Sequence, residues 1–249
     1  MTAPLFRIDR VSKSFGALVV AQGIALDLDK GARHALIGPN GAGKTTLINL
    51  ITGILEPDAG RVLLDGHDIS RHGAAARVKR GIVRTFQINQ LFATMTVVEN
   101  VAMALGERDG LSWNPLRAYS SQRAGFAEAL TILDGLGLAP FALETVGRLS
   151  YGRRRLVELA IAMALKPRVL LLDEPAAGVP SLETGLILDC LARLDPDIAI
   201  LLIDHDMDLV FRFATRISVL VAGAIFASGT PDEIAGHPGV KQIYFGEAA

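Results

Sequence analysis

The run Gly38-Pro39-Asn40-Gly41-Ala42-Gly43-Lys44-Thr45-Thr46 sets glycines, one lysine and two hydroxyls between two apolar segments, Ala35-Leu36-Ile37 and Leu47-Ile48-Asn49-Leu50-Ile51. The first segment reads as a buried strand and the second as a helix. Between them the glycines let the backbone curl with its N–H groups turned inward, and the start of the helix adds partial positive charge. The product is a cradle for phosphate oxygens. Lys44 would reach the β- and γ-phosphates, and the Thr45 hydroxyl would ligate Mg²⁺. The ligand this spacing predicts is a nucleoside triphosphate.

Two more groups of polar residues end apolar runs. Val169-Leu170-Leu171-Leu172 leads into Asp173-Glu174-Pro175. Four apolar residues without alternation suit a parallel strand covered on both faces. Carboxylates at its C-terminal end then lie where open α/β sheets hold their ligands. Asp173 can hold Mg²⁺ through water, and Glu174 can orient or deprotonate an attacking water. The pair could also cap a following helix; the phosphate loop elsewhere in the chain favours the catalytic reading. Pro175 forbids continuation of a central strand and predicts a sharp turn. A third run, residues 198–203, ends in Asp204-His205-Asp206, which makes His205 a candidate γ-phosphate sensor. Finally, Leu149-Ser150-Tyr151-Gly152-Arg153 precedes a strongly amphipathic helical pattern, Leu156–Leu165.

Taken in order, these pieces resemble the nucleotide-binding subunits of ATP-binding-cassette transporters, and the resemblance spans essentially the whole chain. It implies that Phe15 stacks on the adenine and that residues 38–45 form the Walker A motif. Gln87, in Thr85-Phe86-Gln87, takes the place of the Q-loop glutamine, a ligand of Mg²⁺ or its water and the hinge to a helical lobe. Residues 149–153 correspond to the signature motif, 169–174 to Walker B, and His205 to the switch histidine. Ser150 and Gly152 would touch the γ-phosphate of a second cassette through a hydroxyl and a backbone N–H, so that ATP joins two cassettes head to tail. The chain departs from the family pattern in two places. Tyr151 and Arg153 replace a small residue and a glutamine of the signature. Ala177-Gly178-Val179-Pro180-Ser181 lacks the polar residue that usually ends the D-loop.

The resemblance narrows to one subgroup through Ser150-Tyr151-Gly152, Asp173-Glu174-Pro175-Ala176-Ala177-Gly178, His205-Asp206-Met207, the Tyr244-Phe245-Gly246-Glu247-Ala248 terminus and a long insert over residues 100–148 containing Trp113-Asn114-Pro115. That subgroup comprises ATPases of bacterial branched-chain or hydrophobic amino acid importers and the related urea and short-amide importers. It implies ATP and Mg²⁺ as ligands, a second and usually non-identical cassette, two transmembrane permease subunits and, indirectly, an extracytoplasmic binding protein. The place implied is peripheral, on the cytoplasmic face of the plasma membrane.

The elements needed to position these residues are legible in outline. Residues 5–11 and 18–29 read as strands of an antiparallel sheet, 61–66 as a strand ending in an Asp-Gly turn, and 82–86 as a strand ending at Gln87. Thr96 with Glu99, and Thr230 with Glu233 behind Pro231, are capping boxes that open helices. The fold the resemblance implies is an α/β P-loop NTPase with a RecA-like core, an antiparallel β subdomain and an α-helical signature subdomain. We expect one ATPase domain over 1–249, with 1–88 and 166–249 as core and β subdomain and 89–165 as the helical lobe. Arg153-Arg154-Arg155 could form a nucleic-acid patch, but three basic residues at a helix start read more readily as a solvated face, and the resemblance turns that helix start toward the partner's ATP.

Composition sets the limits. Half of the 249 residues are hydrophobic, enough for a sizeable core, yet no apolar run approaches the ~18–20 residues that span a bilayer. The N-terminus, with Asp9 and Arg10, has no signal-peptide pattern. A net charge of −1 offers no basic field for nucleic acid. The single cysteine, Cys190, excludes an internal disulfide and lies in a helical pattern where a packed thiol is expected. Two other readings stay open. One is a non-transport cassette protein, which would usually carry coiled coils or two cassettes. The other is a regulatory subunit with a dead ATPase site, for which the odd D-loop is the only support.

Overall fold

The computed structural model describes residues 3–85, 91–110 and 118–245. Gln87 and Trp113-Asn114-Pro115 lie outside the described residues, as do the last four positions. The chain divides into two compact units: Met1–Ile82 with Arg168–Glu174 and Asp197–Ala249, and Val83–Pro167 with Pro175–Pro196.

The first unit holds two sheets. One is antiparallel, in the order β2-β1-β4-β5, formed by β1 (Phe6–Phe15), β2 (Leu18–Leu28), β4 (Ala59–Leu64) and β5 (His67–Asp68). Alternation starts it: Phe6 and Ile8 of β1 are buried with Arg7 exposed between them, as expected of a strand with one covered face, and an irregularity at Arg10 (φ 51°) returns Val11 to that face. The other sheet contains β3 (Arg33–Ile37), β7 (Val169–Asp173), β8 (Ala199–Ile203), β9 (Arg216–Val221) and β10 (Ala224–Gly229) in the order β10-β9-β3-β8-β7, and is edged by β6 (Ile82–Arg84). β7, β8, β3 and β9 are mutually parallel, with Asp173 opposite Ile203 and Leu36 opposite Ile203 and Ser218. Every residue of β7 and β8 is buried, which explains why these strands read as unbroken apolar runs.

Among the described residues, the helices of this unit are α1 (Lys44–Thr52), α2 (Ala74–Val78), α7 (Met207–Phe213), α8 (Pro231–Gly236) and α9 (Pro238–Phe245). Leu47, Ile48, Leu50 and Ile51 of α1 join Leu36, Leu171, Leu201 and Ile203 in the core. The C-terminal end of α1 is closed by Arg77, which is fully buried and donates to the Leu50 and Ile51 carbonyls at 2.6 and 2.7 Å and to those of Ser70 and His72. The final carbonyls of a helix have no partner within it, and one guanidinium supplies several at once. Burial lowers the Arg77 pKa to about 10, so it stays charged at neutral pH.

A polar chain crosses the parallel sheet. His34 Nε2 lies 2.9 Å from Ser218 Oγ, which lies 3.0 Å from Ser228 Oγ, and Arg216 Nε donates to Ser228 Oγ at 3.2 Å. Burial, with a smaller contribution from Arg216, pushes the His34 pKa down to about 4. His34 is therefore neutral at physiological pH.

The second unit contains α3 (Val97–Arg108), α4 (Ala118–Gly135), α5 (Tyr151–Ala164) and α6 (Ser181–Arg193). The Thr96–Glu99 capping box opens α3 as expected, and in the first unit Thr230–Glu233 opens α8 with proline in its first turn. Arg108 ties three helices: it pairs with Glu128 of α4 at 2.7 Å and donates to the Ala164 carbonyl at the end of α5 at 3.0 Å. Cys190 is buried in α6, with its thiol donating to the Leu136 carbonyl at 3.4 Å. Among the described residues no helix is long and apolar enough to cross a membrane.

Candidate functional site

In the first unit, β3, β7 and β8 run parallel and end on the same edge of their sheet, so the loops that follow them converge. The loop after β3 is residues 38–43. Gly41 and Gly43 have φ of 78° and 104°, a region that side chains rarely adopt. Gly38 is held for a second reason: a Cβ there would run into the Leu220 carbonyl, and one on Gly43 would lie 2.7 Å from the Val20 carbonyl. The loop is also anchored by its own backbone, since Ala42 N–H donates to Pro39 and Gly223 N–H to Ala42. Helix α1 starts at Lys44 itself, with Gly43 as its N-cap and no side chain capping it. Its first N–H groups have no acceptor within the helix, and this open end faces the loop that the sequence assigns to phosphate. Asn40, Gly41 and Thr45 are exposed, and Pro39 and Thr46 are partly so.

Lys44 Nζ folds over the loop, donating to the Gly38 and Pro39 carbonyls at 2.6 and 3.0 Å. Burial lowers its pKa, opposed by the charges of Glu174 and Asp173. One cation and two carboxylates from distant parts of the sequence therefore share this edge. Asp173 is the last residue of β7 and is buried. Glu174 leaves the strand at once: its N–H donates to the Ile203 carbonyl at 2.8 Å and its φ is 48°. The sharp turn expected before Pro175 is thus made by Glu174 itself, which turns its carboxylate toward β8. His205 Nδ1 lies 3.6 Å from Glu174 Oε1 and 3.7 Å from Asp204 Oδ1.

In the sequence Asp204 reads only as one acid of an Asp-His-Asp run. It is 3% exposed, and its Oδ1 accepts the N–H groups of His205 and Asp206 at 2.7 and 3.0 Å. It fixes the backbone that presents His205. Burial raises the Asp204 pKa, with those two N–H groups opposing. Phe15 closes β1 half exposed, with the Lys13 ammonium 5.8 Å from its ring centre. Gln87 lies outside the described residues.

In the second unit, Ser150 is the N-cap of α5, its hydroxyl accepting the Arg153 N–H at 3.5 Å. The helix begins at Tyr151, five residues before the amphipathic pattern makes it evident. Gly152 N–H is occupied from within the chain: it donates to Glu183 Oε2 of α6 at 2.8 Å. A Cβ on Gly152 would press on that carboxylate, so any larger residue there would have to shift the Glu183 side chain.

The expectation that Arg153-Arg154-Arg155 forms a solvated face is overturned for Arg155, while Arg153 and Arg154 are partly exposed. Arg155 is 7% exposed; it pairs with Glu158 at 2.9 Å and donates to the Tyr151 hydroxyl at 3.1 Å and the Ala177 carbonyl at 3.4 Å. Arg154 donates to the Gly147 and Leu149 carbonyls, and the Arg153 guanidinium stacks 4.0 Å above the Phe141 ring. All three are occupied by neighbours that a count of charges does not reveal. The unusual Tyr151 gains a reason here: its ring approaches Gly178, where a Cβ would lie 3.4 Å from its hydroxyl, and Arg155 links that hydroxyl to the same loop.

Residues 21–177 match the model of a family described as ABC transporter. The chain is 37% identical over its full length, and over the full length of the relative, to the "High-affinity branched-chain amino acid transport ATP-binding protein BraF" of Pseudomonas aeruginosa. It is 38% identical, again over the whole of both chains, to the "High-affinity branched-chain amino acid transport ATP-binding protein LivG" of Escherichia coli. Among solved structures, the ADP conformation of an ATP-binding cassette of an ABC transporter superposes with a TM-score of 0.85 at 33% identity, covering 99% of this chain and all of that one.

Proposed function

This chain belongs to the ABC transporter family as an ATPase cassette with the α/β fold of that family, and from that membership we propose that it powers uptake of branched-chain or other hydrophobic amino acids. The observation that carries the catalytic part is the convergence of Lys44, Asp173, Glu174 and His205 on one sheet edge. Phosphoryl transfer to water needs positioning and charge neutralisation more than covalent help. In our reading the Walker A loop, residues 38–46, holds the triphosphate, Phe15 stacks on the base, and Lys44 and His205 stabilise the charge that develops on the γ-phosphate. Glu174 aligns or deprotonates the attacking water.

Mg²⁺ fits the donors present: the Thr45 hydroxyl and the Asp173 carboxylate are hard oxygen ligands on the same edge as Lys44. Bound there, it would neutralise phosphate charge. Gln87 is assigned a share of that shell by the resemblance alone.

We assign residues 1–249 to one cassette domain that works beside a second, non-identical cassette, with Ser150 and Gly152 of each acting on the other's γ-phosphate. Two permease subunits would hold the pair at the cytoplasmic face of the membrane, and an extracytoplasmic binding protein would deliver the cargo. A groove of about 290 Å³ in the second unit, lined by Val83, Leu91, Phe92, Met103, Ile161 and Leu165, supports a permease contact. Phe92 and Met103 are about half exposed, and the groove is built from residues on both sides, in sequence, of Gln87.

The names of the relatives favour branched-chain amino acids over urea or short amides. Uptake of radiolabelled leucine, urea and acetamide into vesicles carrying the whole transporter tests this. Leucine uptake that stops with Lys44→Ala is the expected result; ATP-dependent uptake of urea or acetamide alone would reassign the cargo.

A further inference from the structure

Helix α5 opens with three arginines and no acid in its first turn. The free N–H groups and positive end of such a helix attract an anion, and the chain supplies one from elsewhere. Glu183 lies in the first turn of α6, held by its own N–H bond to the Pro180 carbonyl at 2.8 Å, and its Oε2 takes the Gly152 N–H at 2.8 Å. A charged acceptor on a backbone N–H makes one of the stronger hydrogen bonds available to a protein.

That N–H is the one our functional reading gives to the γ-phosphate of the second cassette, and the inference rests on that reading. One N–H cannot serve both anions, and two negative groups at one helix end repel. We propose that Glu183 is a specificity-determining residue: its carboxylate occupies the signature amide as an internal substitute for the γ-phosphate, so that only a nucleotide carrying that phosphate repays its displacement and closes two cassettes. ADP, with no γ-phosphate to offer, leaves Glu183 in place. A change of side-chain rotamer is enough to free the amide. The preceding loop need not move, because Arg155 holds the Ala177 carbonyl and the Tyr151 hydroxyl independently of Glu183.

The test is sedimentation of the Glu174→Gln chain over a wide range of protein concentrations, with Mg-ATP or Mg-ADP, beside the same chain also carrying Glu183→Gln or Glu183→Ala. Glutamine keeps an acceptor oxygen for Gly152 and loses only the charge, so folding is spared. We expect Glu183→Gln to tighten ATP-driven self-association about tenfold, with Glu183→Ala acting in the same direction. Unchanged or weaker association in both variants would overturn the inference and leave Glu183 a helix cap. Ser150→Arg in the Glu174→Gln chain separates the two readings. If it leaves ATP-driven association intact, the assignment of the signature as a donor in trans fails and the inference with it. If it abolishes association while Glu183→Gln changes nothing, only the inference fails.

Discussion

Glu174 combines a chemical role with an unusual backbone, and the two can be separated. Its left-handed conformation (φ 48°) costs about 1–2 kcal/mol for a residue with a Cβ, and glutamine carries the same cost. Glu174→Gln should therefore keep wild-type thermal stability and ATP affinity while hydrolysis slows by roughly 10²–10⁴-fold, the usual contribution of a positioned acid–base group. Steady-state phosphate release beside a melting curve checks both, and near wild-type turnover would remove Glu174 from its role. Lys44→Ala takes away the ammonium that bridges the Gly38 and Pro39 carbonyls, and isothermal titration with Mg-ATP should show most of the affinity gone. At this scale the sequence is legible where a motif is local. The phosphate loop is a string of neighbours, and its spacing alone dictates its shape. Glu183 is not legible, because its partner lies 31 positions away and an acid in the first turn of a helix already has an ordinary explanation. Asp204 was hidden in the same way, and the arginine triplet misled because charge says nothing of the Phe141 ring or the Ala177 carbonyl beside it.

Elements were legible in proportion to how local their signals are. Both capping boxes could be read because donor and acceptor are three residues apart, and the buried strands because parallel strands covered on both faces leave no polar positions. The Arg77 plug could not, since a lone arginine in a short helix reads as surface. Arg77→Ala should leave the Leu50 and Ile51 carbonyls without their donor, at about 1–3 kcal/mol for each buried group left unmade, with partial rescue by Arg77→Lys; urea denaturation measures it. The His34–Ser218–Ser228 chain makes a prediction with a sign. The folded state holds His34 near pKa 4 against 6.5 when unfolded, so below 6.5 the unfolded chain binds the extra proton. The contribution of this site is therefore complete above pH 6.5 and is lost as pH falls toward 4, at most about 3 kcal/mol. His34→Gln, which keeps a donor toward Ser218, should flatten the dependence of the denaturation midpoint on pH across that window. An identical slope in the variant would contradict the assignment.

The whole molecule raises the question of pairing. The loop before α6 carries Val179-Pro180 where a polar side chain is usual. Pro180, the N-cap of that helix, makes no side-chain capping bond and contributes no N–H. Two copies of this chain facing each other would repeat the deficiency, whereas a different cassette could offset it. The isolated chain should accordingly self-associate weakly and turn over slowly, with stimulation when a second cassette and the permease subunits are present. Sedimentation with ATP and turnover measured with and without the partner decide it; a tight, fully active dimer of this chain alone would refute non-identical pairing and leave the ATPase standing.

Cys190 gives the molecule a gauge of its own motion. A chain with one cysteine can be marked at one address only. Burial raises the pKa of that thiol, and the thiolate is the form that reacts, so a thiol reagent must wait for α6 to part from the Leu136 turn. The labelling rate is then a clock for that opening, readable in the native chain by mass alone. Run with and without nucleotide, it would time how the segment bearing Glu183 loosens or tightens, with no residue changed.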